Sequence, residues 1–93
     1  MSVDLGAVPE PLRPLLPEFV ASARGTLAQV RGAVAAGERE AARKAAHALK
    51  GPCQFFQLRE LAEAAKRAED ALLRGEDAGA ELRAFEALLA SLG

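Results

Sequence analysis

Residues 38–56 read EREAARKAAHALKGPCQFF, a stretch in which apolar side chains recur every three or four positions. This spacing places them on one face of an α-helix and leaves the charged side chains on the opposite face. We therefore predict a helix over about 38–56, with a kink at Pro52 because proline has no N–H to donate to the carbonyl of Ala48. The buried face is predicted to carry Ala42, Ala45, Leu49, Cys53 and Phe56.

The same periodicity predicts three further helices, over about 18–36, 58–74 and 78–92. Four amphipathic helices with short connections favour an all-α fold, an antiparallel up-down-up-down four-helix bundle over residues 18–93. The predicted buried faces of these three helices are Phe19, Ala23, Leu27, Val30 and Val34; Leu58, Leu61, Ala65, Ala68 and Leu72; and Ala78, Leu82, Phe85, Leu89 and Leu92.

Residues 1–17 form a predicted cap segment rather than one regular helix, because four of them are prolines. Pro17 is suited to the first turn of the next helix. We expect Gly37 and Gly75 to end helices, Gln57 and Leu58 to form a tight turn, and Asp77 to be an N-cap. The apolar side chains expected to pack the cap onto the bundle are Val3, Leu5, Val8, Leu12, Leu15 and Leu16.

The composition narrows the class of protein. Ala, Leu, Arg and Glu dominate the 93 residues, and all are strong helix formers. A formal charge of -1 with interleaved acids and bases argues against nucleic-acid binding. The single cysteine suits a reducing compartment, and we see neither a signal peptide nor an apolar run long enough to span a bilayer. A cytoplasmic protein is the expectation.

The only histidine, His47, lies on the charged face of the second predicted helix. A neutral imidazole on a solvated face is a usable nucleophile near neutral pH. If the chain reverses near Gln57, Glu69 can accept a hydrogen bond from Nδ1–H and leave the Nε2 lone pair free. The cations predicted to support a phosphoryl group on Nε2 are Arg43, Lys44, Lys50 and Lys66. Gly51 leaves space beside the ring for a partner, or relieves strain before Pro52.

The sequence Ala46-His47-Ala48-Leu49-Lys50-Gly51, followed by Leu61 and Glu69, resembles the histidine-containing phosphotransfer (HPt) domain signature A-H-x-L-K-G. The resemblance covers roughly residues 18–92, and its specific part is 46–69. Two departures from the family pattern stand out. Gln57 occupies a position where the family usually has glycine, and Pro52 gives a His-x-Leu-Lys-x-Pro pattern similar to the H-box of sensor histidine kinases. That H-box has an acidic residue directly after its histidine, where this chain has Ala48.

The resemblance implies a phosphocarrier of a two-component phosphorelay, without autokinase activity, in which His47 is the phosphoacceptor. It also implies that Lys50 and Gly51 lie on the phosphate side of the ring and that Glu69 orients the imidazole. The implied partners are response-regulator receiver domains, which would supply the divalent metal, and a hybrid sensor kinase in some systems. We expect no intrinsic cofactor or metal, a monomer, and docking through Gln54 and Phe55.

Less specific interpretations remain for the same residues. His47 can be an ordinary surface histidine, the lysines a solvated face, and Glu69 a local partner of Lys66 or Arg67. Phe55 can pack in the hairpin, and Cys53 reads as a small core residue. The alternative functions are a dimerising helical module related to sensor kinases and a scaffold bundle in which the histidine is incidental.

Overall fold

The computed structural model describes residues 8–92, which are all-helical with no strand. A 3₁₀ helix, Glu10–Leu15, leads directly into α1 (Leu16–Ala35), with Pro17 in its first turn. The remaining helices are α2 (Arg39–Phe55), α3 (Arg59–Leu73) and α4 (Gly79–Ala90). The four α-helices are those predicted from the apolar periodicity, and their ends lie within two residues of the predicted bounds.

The helices pack around one core, and the most extensive contacts join α2 to α1 and to α3. The buried side chains of α2 and α3 are mainly alanines, so few bulky groups separate these two helices. The Phe19 and Phe56 rings, with centroids 5.0 Å apart, pack α1 against the end of α2. At the surface, Arg31 and Glu86 form an ion pair of 3.1 Å between α1 and α4. The hairpin of α2 and α3 therefore packs against α1 through α2 and against α4 through α3. This hairpin carries every predicted site residue.

The predicted buried faces need several corrections. Ala46, rather than Ala45, is fully buried on α2, because the helix presents a slightly rotated face to its neighbours. Val34 and Leu92 lie near the ends of their helices and are only partly buried. Further buried residues that the prediction did not include are Ala64, Ala71 and Leu88.

The N-terminal segment differs from its prediction at one described position. Val8 is buried, and Leu12 and Leu16 pack partly against the core, but the side chain of Leu15 is 43% exposed. The 3₁₀ helix turns Leu15 toward solvent, whereas Leu12 and Leu16 are partly buried. Val3 and Leu5 lie outside the described residues.

The start of α4 and the path through Pro52 also bear on the predictions. The N-cap of α4 is Ala78, not Asp77, although Asp77 Oδ1 accepts a hydrogen bond of 3.0 Å from the Gly79 N–H. The Asp77 carboxylate thus satisfies one free N–H of the first turn from the position before the N-cap. Helix α2 continues through Pro52 to Phe55, and the kink there stays a prediction.

Candidate functional site

His47 lies on α2 beside the buried face but points away from it, and its side chain is 62% exposed. Its Nδ1 atom is 2.9 Å from Oε2 of Glu69 on α3. A carboxylate oxygen can only accept, so in this pair the Nδ1–H donates to Glu69. In the neutral ring, the lone pair then stays on Nε2. The geometry therefore leaves the nucleophilic nitrogen free.

Glu69 is much less accessible than the histidine it contacts, since only 13% of its side chain is exposed. It follows buried Ala68 on α3, so its stem is packed against the bundle while its carboxylate faces α2. The same Oε2 atom lies 3.8 Å from Nη1 of Arg43. Glu69 thus contacts α2 at two points, one helical turn apart, and neither Lys66 nor Arg67 is its partner within residues 8–92.

The turn at Gln57 sets the register of this contact. The Leu58 N–H bonds to the Cys53 carbonyl at 2.9 Å, and the Gln57 N–H bonds to the Gln54 carbonyl at 3.0 Å. This is the Schellman pattern, which requires a left-handed residue after the helix and usually takes glycine there. Gln57 adopts it with a φ of 56°. The hairpin therefore forms without the glycine that similar sequences have at this position.

Of the four predicted phosphate-side cations, two form ion pairs in the described part of the chain and two do not. Within the described residues 8–92, neither Lys44 nor Lys50 forms an ion pair. The Lys66 ammonium lies 3.2 Å from Asp70 of its own helix. Of the four predicted cations, Lys44 and Lys50 are thus the two without a carboxylate partner in the described part of the chain.

Arg43 is engaged more strongly than sequence reasoning expected. Its Nε and Nη2 atoms donate to the two carboxylate oxygens of Glu40, at 3.3 and 2.5 Å. The hydrogen bonds from Arg43 hold the pKa of Glu40 below its usual value, and the same contact raises the pKa of Arg43. Glu40 was not among the predicted site residues, although its place three residues before Arg43 on one helix face was a signal that could have found it.

Gly51, Gln54 and Phe55 follow His47 along α2 and are all exposed. A Cβ added to Gly51 would meet no atom within 4 Å outside its chain neighbours, so the surface beside the ring is open. The Phe55 ring is 63% exposed while its edge packs on Phe56. A groove of about 640 Å³ runs between α2 and α3 here, and its lining includes Lys50, Gln54 and Lys66. The groove thus begins one helical turn beyond His47, at Lys50, and its charged lining is mixed, since Glu60 and Glu63 also contribute to it.

Cys53, between these exposed residues along α2, belongs to the core. Its side chain is fully buried, and its thiol donates to the Leu49 carbonyl at 3.1 Å. Burial raises the pKa of the Cys53 thiol to about 12, so it is a core residue rather than a second nucleophile. Over residues 8–92, no three side chains of the metal-binding types come together. None of the helices in this part of the chain is both long and apolar enough to cross a membrane.

A comparison with protein-family models finds the Hpt domain over residues 14–93. The chain belongs to the Hpt domain family. Hpt domains are phosphotransfer modules of phosphorelays, and they carry phosphoryl groups rather than acting as autokinases. Searches of curated proteins and of solved structures found no match to this Hpt domain.

Proposed function

We propose that this Hpt domain accepts a phosphoryl group on His47 Nε2 from the aspartate of a response-regulator receiver domain and passes it to another receiver. The observation that carries the proposal is the pairing of an exposed imidazole with Glu69, 2.9 Å from Nδ1. A surface histidine without a chemical role does not require a largely buried carboxylate to select one of its tautomers. Here the selected tautomer is the one with a nucleophilic nitrogen facing solvent.

The transfer uses the Nε2 lone pair as its nucleophile. Nε2 attacks the phosphorus of the aspartyl phosphate in line, a P–N bond forms, and the P–O bond to the aspartate breaks with its electron pair leaving on the carboxylate. The proton on Nδ1 stays in place, so the ring gains positive charge as the bond forms. Glu69 balances this charge across the 2.9 Å hydrogen bond. Transfer to the next receiver is the reverse sequence with a new aspartate.

The support for a phosphoryl group on this chain comes from Lys50, Lys44 and Lys66. Lys50 follows His47 by one helical turn and has no carboxylate partner in residues 8–92, so it is the first candidate. Lys66 would exchange its contact with Asp70 for the phosphoryl oxygens. The divalent metal of the reaction is expected from the receiver. Gly51 keeps the path to Nε2 open.

The receiver is proposed to dock over the groove between α2 and α3, which Gln54 lines, and to cover the exposed Phe55 that follows Gln54 on α2. An exposed phenylalanine anchored edge-on against Phe56 is a rigid apolar group that a receiver helix can cover. A hybrid sensor kinase would present the same kind of receiver domain. The proposal includes no contact with nucleic acid or membrane.

We further propose that the domain works as a cytoplasmic monomer with its helices in up-down-up-down order and its N-terminal segment as a cap. Each helix packs against the next after a short connection, and Val8 is buried in the core of its own chain. These contacts within one chain support a monomer, whereas a two-helix kinase hairpin buries its core against a second copy. Sedimentation at micromolar concentration should give one species of about 9.7 kDa, and a stable dimer would favour the kinase-related alternative.

The decisive experiment is phosphotransfer from a panel of phosphorylated receivers. The protein has one histidine, so acid-labile, base-stable label on the wild type and its absence from His47→Gln would locate the phosphoryl group. Equal labelling of the two proteins, or no labelling by any receiver, would overturn the proposal. Lys50→Ala is expected to slow transfer while its melting temperature stays unchanged. Arg24→Ala, which removes an exposed cation from α1, is the matched control and should transfer at the wild-type rate.

A further inference from the structure

The contacts around Glu69 reach one residue beyond the histidine it orients. Arg43 lies one helical turn before His47, and its Nη1 atom approaches the same carboxylate oxygen that accepts from His47 Nδ1, at 3.8 Å. Resting on the proposed function, we infer that Arg43 is a positioning residue, which acts on His47 through Glu69 and is itself held in place by Glu40. These four residues form a series of side-chain contacts, Glu40–Arg43–Glu69–His47, which crosses from α2 to α3 and returns to α2.

The guanidinium geometry supports this division of contacts. The Nε and Nη2 edge of Arg43 donates to Glu40, which leaves Nη1 on the side of Glu69. A planar guanidinium held at one edge cannot rotate freely, so its remaining N–H groups keep a fixed direction. Arg43 is thus directed at a carboxylate on the Nδ1 side of the imidazole. This placement differs from the phosphate-side role predicted from sequence spacing.

The chemical consequence concerns the tautomer of His47. Glu69 fixes the proton on Nδ1 only while its carboxylate stays in position beside the ring, and the contact with Arg43 holds it there. Without Arg43, Glu69 loses the only ion-pair partner in residues 8–92 that it has besides His47. The carboxylate can then turn away, and a larger share of the neutral ring carries its proton on Nε2, the nitrogen that must attack.

Few charged groups contact the Glu69 carboxylate in the described residues, so a change in the His47 tautomer can be assigned to Arg43. Arg43 and His47 face Glu69 from α2, and Lys66 on its own helix is already paired with Asp70. Arg67, also on α3, is exposed and contacts neither Glu69 nor His47 among the described ion pairs. Arg67→Ala therefore removes one positive charge from the same hairpin and leaves the series of contacts from Glu40 to His47 in place.

The test measures the tautomer directly. Nitrogen-15 NMR of the imidazole, at a pH where the ring is neutral, should give mainly the Nδ1–H form in the wild type and in Arg67→Ala. Arg43→Ala should shift a clear share of the ring to the Nε2–H form and slow transfer from a phosphorylated receiver by about tenfold, the lower end of the range for losing a group that orients a metal-bound histidine. Arg43→Lys keeps the positive charge but lacks the planar guanidinium. It should restore part of the Nδ1–H population and part of the transfer rate.

The outcomes separate this inference from the proposed function. If the wild type is phosphorylated and Arg43→Ala keeps both its tautomer ratio and its transfer rate, Arg43 is not a positioning residue. A slower transfer with an unchanged tautomer would also overturn the inference, because it would place Arg43 on the phosphate instead. If no receiver of the panel labels the wild type, the proposed function is refuted. The NMR comparison would still decide whether Arg43 holds Glu69 in position.

Discussion

Replacing Gln57 with glycine should stabilise the protein, because Gln57 ends α2 with a φ of 56°. A left-handed conformation costs an L-residue roughly 1–2 kcal/mol, and glycine avoids this cost. Glycine loses more backbone entropy on folding, which offsets roughly 0.5–1 kcal/mol. The Gln57 side chain is exposed, so its removal forfeits no burial. The net gain in the free energy of unfolding is therefore about 0.5–1 kcal/mol.

A gain of this size is measurable by thermal unfolding. In a domain of this length it should raise the melting temperature by about 2–8 °C. Gln54→Gly is the matched control, since Gln54 is an equally exposed glutamine three residues earlier but lies inside the helix. There glycine should lower the stability by about 1 kcal/mol. If Gln57→Gly melts at or below the wild type, the left-handed turn is not a cost, and the reasoning about this hairpin is refuted.

Three other changes test separate parts of the structure. Gly51→Ala should alter the free energy of unfolding by less than about 1 kcal/mol while slowing transfer from a receiver; a large loss of stability would instead favour strain relief before Pro52. Cys53, whose pKa burial raises to about 12, should resist iodoacetamide at pH 8 until urea unfolds the protein, and rapid native modification would contradict its burial. The hydrogen bond from Arg31 holds the pKa of Glu86 below its usual value. The pair therefore stabilises the fold above that usual value and loses this contribution as the pH falls through the native pKa. The difference in melting temperature between wild type and Glu86→Gln should shrink between pH 7 and pH 3; a constant difference would show that the ion pair does not contribute.

The periodicity of apolar residues predicted the helices well because burial of one face is a local property of the sequence. Leu61, Ala65, Ala68 and Leu72 were all assigned to the buried face of α3 and are buried there. One error lies where two neighbouring positions of α2 compete for the buried face. Ala45 and Ala46 are chemically identical, so only the packing of α2 against α1 and α3 decides which of them is buried.

One predicted helix cap was wrong, and the reason is again physical. A capping position depends on one backbone conformation and a few hydrogen bonds, which several residue types can satisfy. Asp77 carries a good capping side chain, yet the chain places Ala78 at the N-cap in a left-handed conformation. Gly37 and Gly75 were predicted to end helices and adopt the positive φ that glycine permits.

By itself, the sequence determined that this chain is helical, that its single histidine lies on a polar helix face, and that a motif of the Hpt domain family surrounds that histidine. These are consequences of residue order within one helix. The tertiary structure alone decided that Glu69 reaches Nδ1 at 2.9 Å and that Arg43 pairs with Glu40 while approaching Glu69. Contacts between α2 and α3 depend on the register of the hairpin, and a side-chain rotamer chooses among several partners within reach. Local sequence encodes neither, since both are settled only when the helices pack.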